Sequence, residues 1–66
     1  MSFQIIRLPD VQKKTALSRS TIYALIKERS FPHPIPLGRR AVGWVESEID
    51  AWIEKRAAIR NDGATK

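Results

Sequence analysis

The chain has 66 residues, no cysteine, and twelve Lys/Arg against seven Asp/Glu, a formal net charge of +5 at pH 7. This length suits one domain with a small core. The absence of cysteine excludes a disulfide framework and a thiolate zinc site, and no apolar run approaches the roughly 18–20 residues that cross a bilayer. The expectation is a soluble, unexported domain in the cytoplasm, with no membrane partner.

The charge is unevenly divided. Residues 1–45 hold eight cationic side chains against Asp10 and Glu28, whereas residues 46–66 hold four against five acids. The first part is therefore suited to a polyanion, most often nucleic acid. Residues 1–7 carry Phe3, Ile5 and Ile6 without a clear period and read as an extended arm covering one side of the core.

Residues 8–15 predict a short first helix. Pro9 suits the first turn, Asp10 favours the positive end of the helix dipole, and Leu8, Val11 and Thr15 form one stripe. Lys13 and Lys14 lie off that stripe, where a first helix crossing a DNA backbone places cations beside phosphates. Residues 15–17 are a connection short enough for a helix-turn-helix.

Ser18 is suited to cap a second helix, its hydroxyl accepting from the free backbone N–H of Ser20 or Thr21. Ile22, Leu25 and Ile26 then recur at i, i+3 and i+4, a stripe facing the core. Ser20, Tyr23, Ala24 and Lys27 point the other way, with Arg19 on the flank of the first turn. That face is small and polar at one end and cationic at the other, as a helix entering a major groove requires. The helix is expected to end around residues 28–30.

Prolines at 32, 34 and 36 exclude a helix and hold the next segment extended. Ile35 and Leu37 alternate around Pro36, and Val42 and Trp44 around Gly43, which predicts a two-stranded hairpin with a tip at residues 38–41. Arg39 and Arg40 sit on that tip. A cationic hairpin directly after a recognition helix is a wing, able to enter a flanking minor groove or clamp phosphates. Residues 45–56 predict a third helix with Val45, Ile49, Trp52 and Ile53 buried. Its acids Glu46, Glu48 and Asp50 crowd the N-terminal turns on a face turned away from DNA.

The fold class is thus mainly α with a small β-hairpin: a winged helix-turn-helix of three helices plus a two-stranded wing. Residues 1–7 are the arm, 8–57 the DNA-binding domain and 58–66 a frayed tail. Trp44 and Trp52 fall on buried stripes and read as core. His33, the one histidine, lies between prolines with no cysteine or carboxylate set around it, so no catalytic, cofactor-binding or metal-ligating residue is assigned and no enzyme is expected.

Several strings together resemble the AlpA family of prophage regulators. They are Arg7-Leu8-Pro9-Asp10-Val11, Leu17-Ser18-Arg19-Ser20-Thr21-Ile22-Tyr23, Phe31-Pro32, Leu37-Gly38, Arg40-Ala41-Val42-Gly43-Trp44 and Glu48-Ile49-Asp50-Ala51-Trp52. The resemblance spans roughly residues 5–56 and implies a MerR-like winged helix, a superfamily that includes phage excisionases. It implies DNA-contacting roles for Ser18, Arg19, Ser20, Thr21 and Tyr23 on the second helix and for Arg40 in the wing. Three positions depart from the family's usual residues: Ala24 replaces a long basic side chain, and Ala16 and Arg29 replace glycines, which implies altered turn geometry.

The expected function is a sequence-specific, double-stranded DNA-binding transcriptional regulator. The expected contacts are Lys13, Lys14, Ser18, Arg19, Ser20, Thr21, Tyr23, Lys27, Arg39 and Arg40. RNA polymerase or a phage integrase is a further candidate partner, and a monomer or weak dimer is expected to act cooperatively on repeated or paired sites. Two alternatives stand beside this reading: an excisionase-like factor that bends DNA, and a protein-interaction adaptor or antirepressor using the acidic face of Glu46, Asp50 and Glu54 or the proline-rich segment.

Overall fold

The computed structural model describes the backbone of residues 3–63 and the side chains of residues 3–59. Its elements run β1 (Ile5–Ile6), α1 (Leu8–Thr15), α2 (Arg19–Lys27), β2 (Ile35–Pro36), β3 (Val42–Val45) and α3 (Glu46–Gly63). This is a winged helix-turn-helix. The arm, however, is more than a cover: Ile5 and Ile6 form a strand, so the sheet has three strands rather than two, in the order β1-β3-β2.

Both pairings are antiparallel, with Ile5 opposite Val45, Ile6 opposite Trp44, Ile35 opposite Gly43 and Pro36 opposite Val42. Partners directly across a ladder point to the same side of a sheet. Val42 and Trp44 accordingly face the helices, while Gly43 and Val45 share the other side with Ile5 and Ile35. Ile35 and Leu37 are exposed. Gly43 allows the close approach of β1 to the central strand: a Cβ there would lie 2.5 Å from Ile5 Cγ2 and 3.2 Å from the Ile6 carbonyl oxygen.

The core joins all three helices to the sheet. Val11 of α1, Ile22 of α2, Trp44 of β3, Ile49 of α3 and Phe31 are buried together, and Leu8, Leu17, Leu25, Ile26, Trp52 and Ile53 pack around them. The stripes expected for α1 and α2 are thus the ones that meet. Val45 differs: it is the last residue of β3, and the next residue, Glu46, donates its N–H to the Gln4 carbonyl at 2.8 Å. The strand therefore passes into α3 without an intervening loop.

Two indoles pin the proline-rich segment between α2 and β2. Trp44 Nε1 donates to the Pro32 carbonyl at 3.1 Å, and Trp52 Nε1 to the Ser30 carbonyl at 2.7 Å. Each buries an apolar body and satisfies its single polar atom. At its C-terminal end α3 runs to Gly63. Residues 57–60 read Ala-Ala-Ile-Arg, good helix formers with no glycine or proline to stop the helix. Residues 64–66 of the expected tail lie outside the described residues.

Candidate nucleic-acid interface

The turn between α1 and α2 sets the angle of the second helix. Thr15 Oγ1 donates to the Val11 carbonyl at 2.7 Å and accepts from the Leu17 N–H at 3.3 Å. Between them Ala16 takes a left-handed conformation, φ 60°, and its N–H donates to the Gln12 carbonyl. Ala16 thus adopts the backbone that glycine adopts most readily.

Ser18 caps α2 as its sequence position demands. Its Oγ accepts from the Thr21 N–H at 3.2 Å and donates to Thr21 Oγ1 at 2.9 Å, with Ser20 Oγ 3.3 Å away. Three hydroxyls are therefore gathered at the N-terminus of α2, where the first N–H groups and the helix dipole favour an anion. The Ser18 hydroxyl is already engaged as the cap, leaving Ser20 and Thr21 to offer the outward donors.

Beyond the cap, Arg19, Ser20, Tyr23, Ala24 and Lys27 are all exposed, while Ile22 beneath them is fully buried. The Arg19 guanidinium lies 5.6 Å from the Tyr23 ring centroid. At the spacing i, i+4 this cation–π contact holds two long side chains together on the outer face. Tyr23 is 38% exposed, so part of its ring packs down while the rest reaches outward.

The wing presents Arg39 and Arg40 at its tip, both exposed, and the loop is closed by the Leu37 N–H donating to the Ala41 carbonyl at 2.7 Å. Lys13 is exposed on α1. Lys14, expected beside it as a phosphate contact, is exposed and ion-paired at the surface: its Nζ lies 2.7 Å from Asp50 Oδ1 and 3.3 Å from Glu46 Oε2. The hydrogen bond to Asp50, with Glu46 adding to it, raises the Lys14 pKa above its ordinary value. These are the only ion pairs among the described residues, so Arg19, Lys27, Arg39 and Arg40 carry charges with no acidic partner there. Glu46 and Asp50, expected on an outer face of α3, turn toward α1.

Sequence reading missed this bracket because its partners are 32 and 36 residues apart along the chain. α2 ends at Lys27 with Glu28 as its C-cap, close to the end expected around residues 28–30. There the Arg29 N–H donates to the Ile26 carbonyl and the Ser30 N–H to the Leu25 carbonyl, with Arg29 at φ 63°. This is a Schellman motif with arginine where glycine is usual.

The elements and their exposed faces define a winged helix-turn-helix whose second helix has a hydroxyl-bearing, cationic outer face. Comparison with known proteins narrows that class. The family model described as prophage CP4-57 regulatory protein (AlpA) matches residues 4–57, and the chain belongs to this AlpA family. It is 43% identical over 60 residues to uncharacterized protein ORF88 of Enterobacteria phage P4, covering 91% of this chain and 68% of that protein. It is 40% identical over 62 residues to the DNA-binding transcriptional activator AlpA of Escherichia coli K12, covering 85% of this chain and 89% of that one.

Proposed function

We propose that this chain is a sequence-specific, double-stranded DNA-binding transcriptional regulator of the phage and prophage type, working in the bacterial cytoplasm. α2 enters a major groove, with Ser20, Thr21, Arg19 and Tyr23 reaching base edges and phosphates. The wing residues Arg39 and Arg40 hold the flanking minor groove or its phosphates, and Lys13 and Lys27 hold the backbone on either side. Lys14, exposed but paired with Glu46 and Asp50, ties α1 to α3 and offers the backbone a partly neutralised charge. RNA polymerase or a phage integrase is the partner such a regulator would act on.

The observation that carries this reading is the outer face of α2: a capped helix presenting hydroxyls at its N-terminus and cations along its length, in a member of a prophage regulator family. The relative named as a DNA-binding transcriptional activator supports the same reading.

Titration against the DNA upstream of the gene, with unrelated duplex as competitor and at several salt concentrations, is the test. About five neutralised phosphates predict a log–log salt slope of roughly −4 to −5. The Lys27→Ala variant should flatten the slope by about one, weakening all sequences alike, whereas Arg19→Ala should also reduce the preference over competitor. A slope near zero, or binding lost entirely to competitor, would refute sequence-specific recognition.

A further inference from the structure

A second surface lies on the flank of α3 away from Lys14. Where the segment after α2 runs past the C-terminal half of α3, the two enclose an open groove of about 780 Å³, within the size range of ligand clefts. Its floor is aromatic: Phe31 meets Trp52 edge-on, ring centroids 4.7 Å apart. The indole hydrogen bond from Trp52 to the Ser30 carbonyl ties that floor to the backbone, so it is preformed. Ile59, one turn and more beyond Trp52 on α3, extends the apolar strip and is 60% exposed.

The rim is cationic. Arg29, Lys55 and Arg56 line the groove, and Glu48 is the one carboxylate among its lining residues. The Arg56 guanidinium lies 5.0 Å from the Trp52 ring centroid, so a charge is held directly over the apolar floor. Arg29 contributes a different kind of observation. It keeps a left-handed backbone that disfavours any residue with a Cβ, and glycine would relieve that strain. That conformation belongs to the cap of α2, and it places the Arg29 side chain at the rim of the groove.

We propose that this groove docks a short acidic and apolar segment of a partner protein, with its apolar side chains against Phe31, Trp52 and Ile59 and its carboxylates on Arg29, Lys55 and Arg56. Charge complementarity selects the acidic peptide: three cations surround one carboxylate. The apolar strip selects peptide over nucleic acid, because a phosphate backbone offers nothing to cover Ile59, whereas alternating apolar and acidic side chains serve floor and rim together. The inference stands apart from DNA recognition, which uses α2 and the wing.

The test is a titration of the full chain, followed by amide and indole NMR shifts, with a synthetic peptide in which Asp and Glu alternate with Leu and Phe. The controls are a peptide with Lys in place of the acids, an acidic peptide with Ser in place of the apolar residues, and a short DNA duplex. Shifts centred on Phe31, the Trp52 indole and residues 55–59 are expected with the first peptide alone. The Arg56→Glu and Ile59→Asp variants, both at exposed positions, should each weaken that binding about tenfold while leaving DNA affinity in place, and Arg56→Lys should retain most of it.

No saturable shift with the acidic and apolar peptide refutes the proposal. Equal binding of the Ser-substituted acidic peptide refutes it too, since charge alone would then suffice. Duplex DNA moving the same groove resonances would make the groove part of the DNA surface. Loss of DNA binding with peptide binding intact would instead count against the regulator reading and leave this one standing.

Discussion

Among the described residues, Ala16 and Arg29 carry the two left-handed backbones outside glycine, at φ 60° and 63°, one closing α1 and one closing α2. A non-glycine residue in this region costs about 1–2 kcal/mol, part of which glycine would give back through its greater freedom in the unfolded chain. Ala16→Gly should therefore stabilise the protein by roughly 0.5–1 kcal/mol and raise its melting midpoint by about 2–8 °C. Thermal unfolding followed by circular dichroism checks this, and an unchanged or lower midpoint would show that the turn is not strained. Ser18 was legible at this scale because a cap is local: a serine before a helical stripe has one geometry to adopt. The conformations of Ala16 and Arg29 were not, because the residue types argue against a left-handed backbone and only the closing of the helices onto a shared core imposes it.

Among the elements, the contact that sequence reading overlooked is the one joining α1 to α3. Lys14 looked like one of a pair of surface lysines beside DNA, and Glu46 and Asp50 like a solvated acidic face. Folding brings them together as a bracket between α1 and α3. The pKa of Lys14 is raised, chiefly by its hydrogen bond to Asp50, so the folded state binds this proton more tightly than the unfolded chain does. The stabilisation is fully present below the unfolded value of 10.5 and is lost as pH rises through the higher folded value. Lys14→Gln should accordingly melt at a lower temperature than the parent near neutral pH, and the gap should close as pH passes above 10.5 and as salt is added. A gap that persists in alkali would assign the loss to packing of the lysine stem. The third strand escaped prediction for a related reason. Ile5 and Ile6 are too few to show a period of two, and only the edge of β3, opened by Gly43, makes them a strand.

At the scale of the whole molecule, the helix-turn-helix and wing place the exposed cations Arg19 and Lys27 on α2 and Arg39 and Arg40 on the hairpin tip, while Glu46 and Asp50 of α3 pair with Lys14. The overall division of charge along the chain was legible from the sequence, and so was the order of elements, because each helix has its own stripe. Assembly was not, since it depends on surfaces that no periodicity marks. A single module of this kind covers about 600–1,000 Å² on DNA, too little for high selectivity in a genome unless sites are multiplied. The long helix α3 buries Ile49 in the core and carries half-buried Trp52 and Ile53 on the same side, and among its described side chains Ile59 is the one exposed large apolar residue, too little for a coiled-coil seam. Sedimentation at micromolar protein should therefore show a monomer in the absence of DNA. Binding to tandem or paired sites should show a Hill coefficient above one, and binding to an isolated site a coefficient of one with weaker affinity. A tight dimer without DNA would move the source of specificity from repeated sites to a preformed interface. The exposed apolar side chains Phe3, Ile5, Ile35 and Leu37 would then be the first place to look for it.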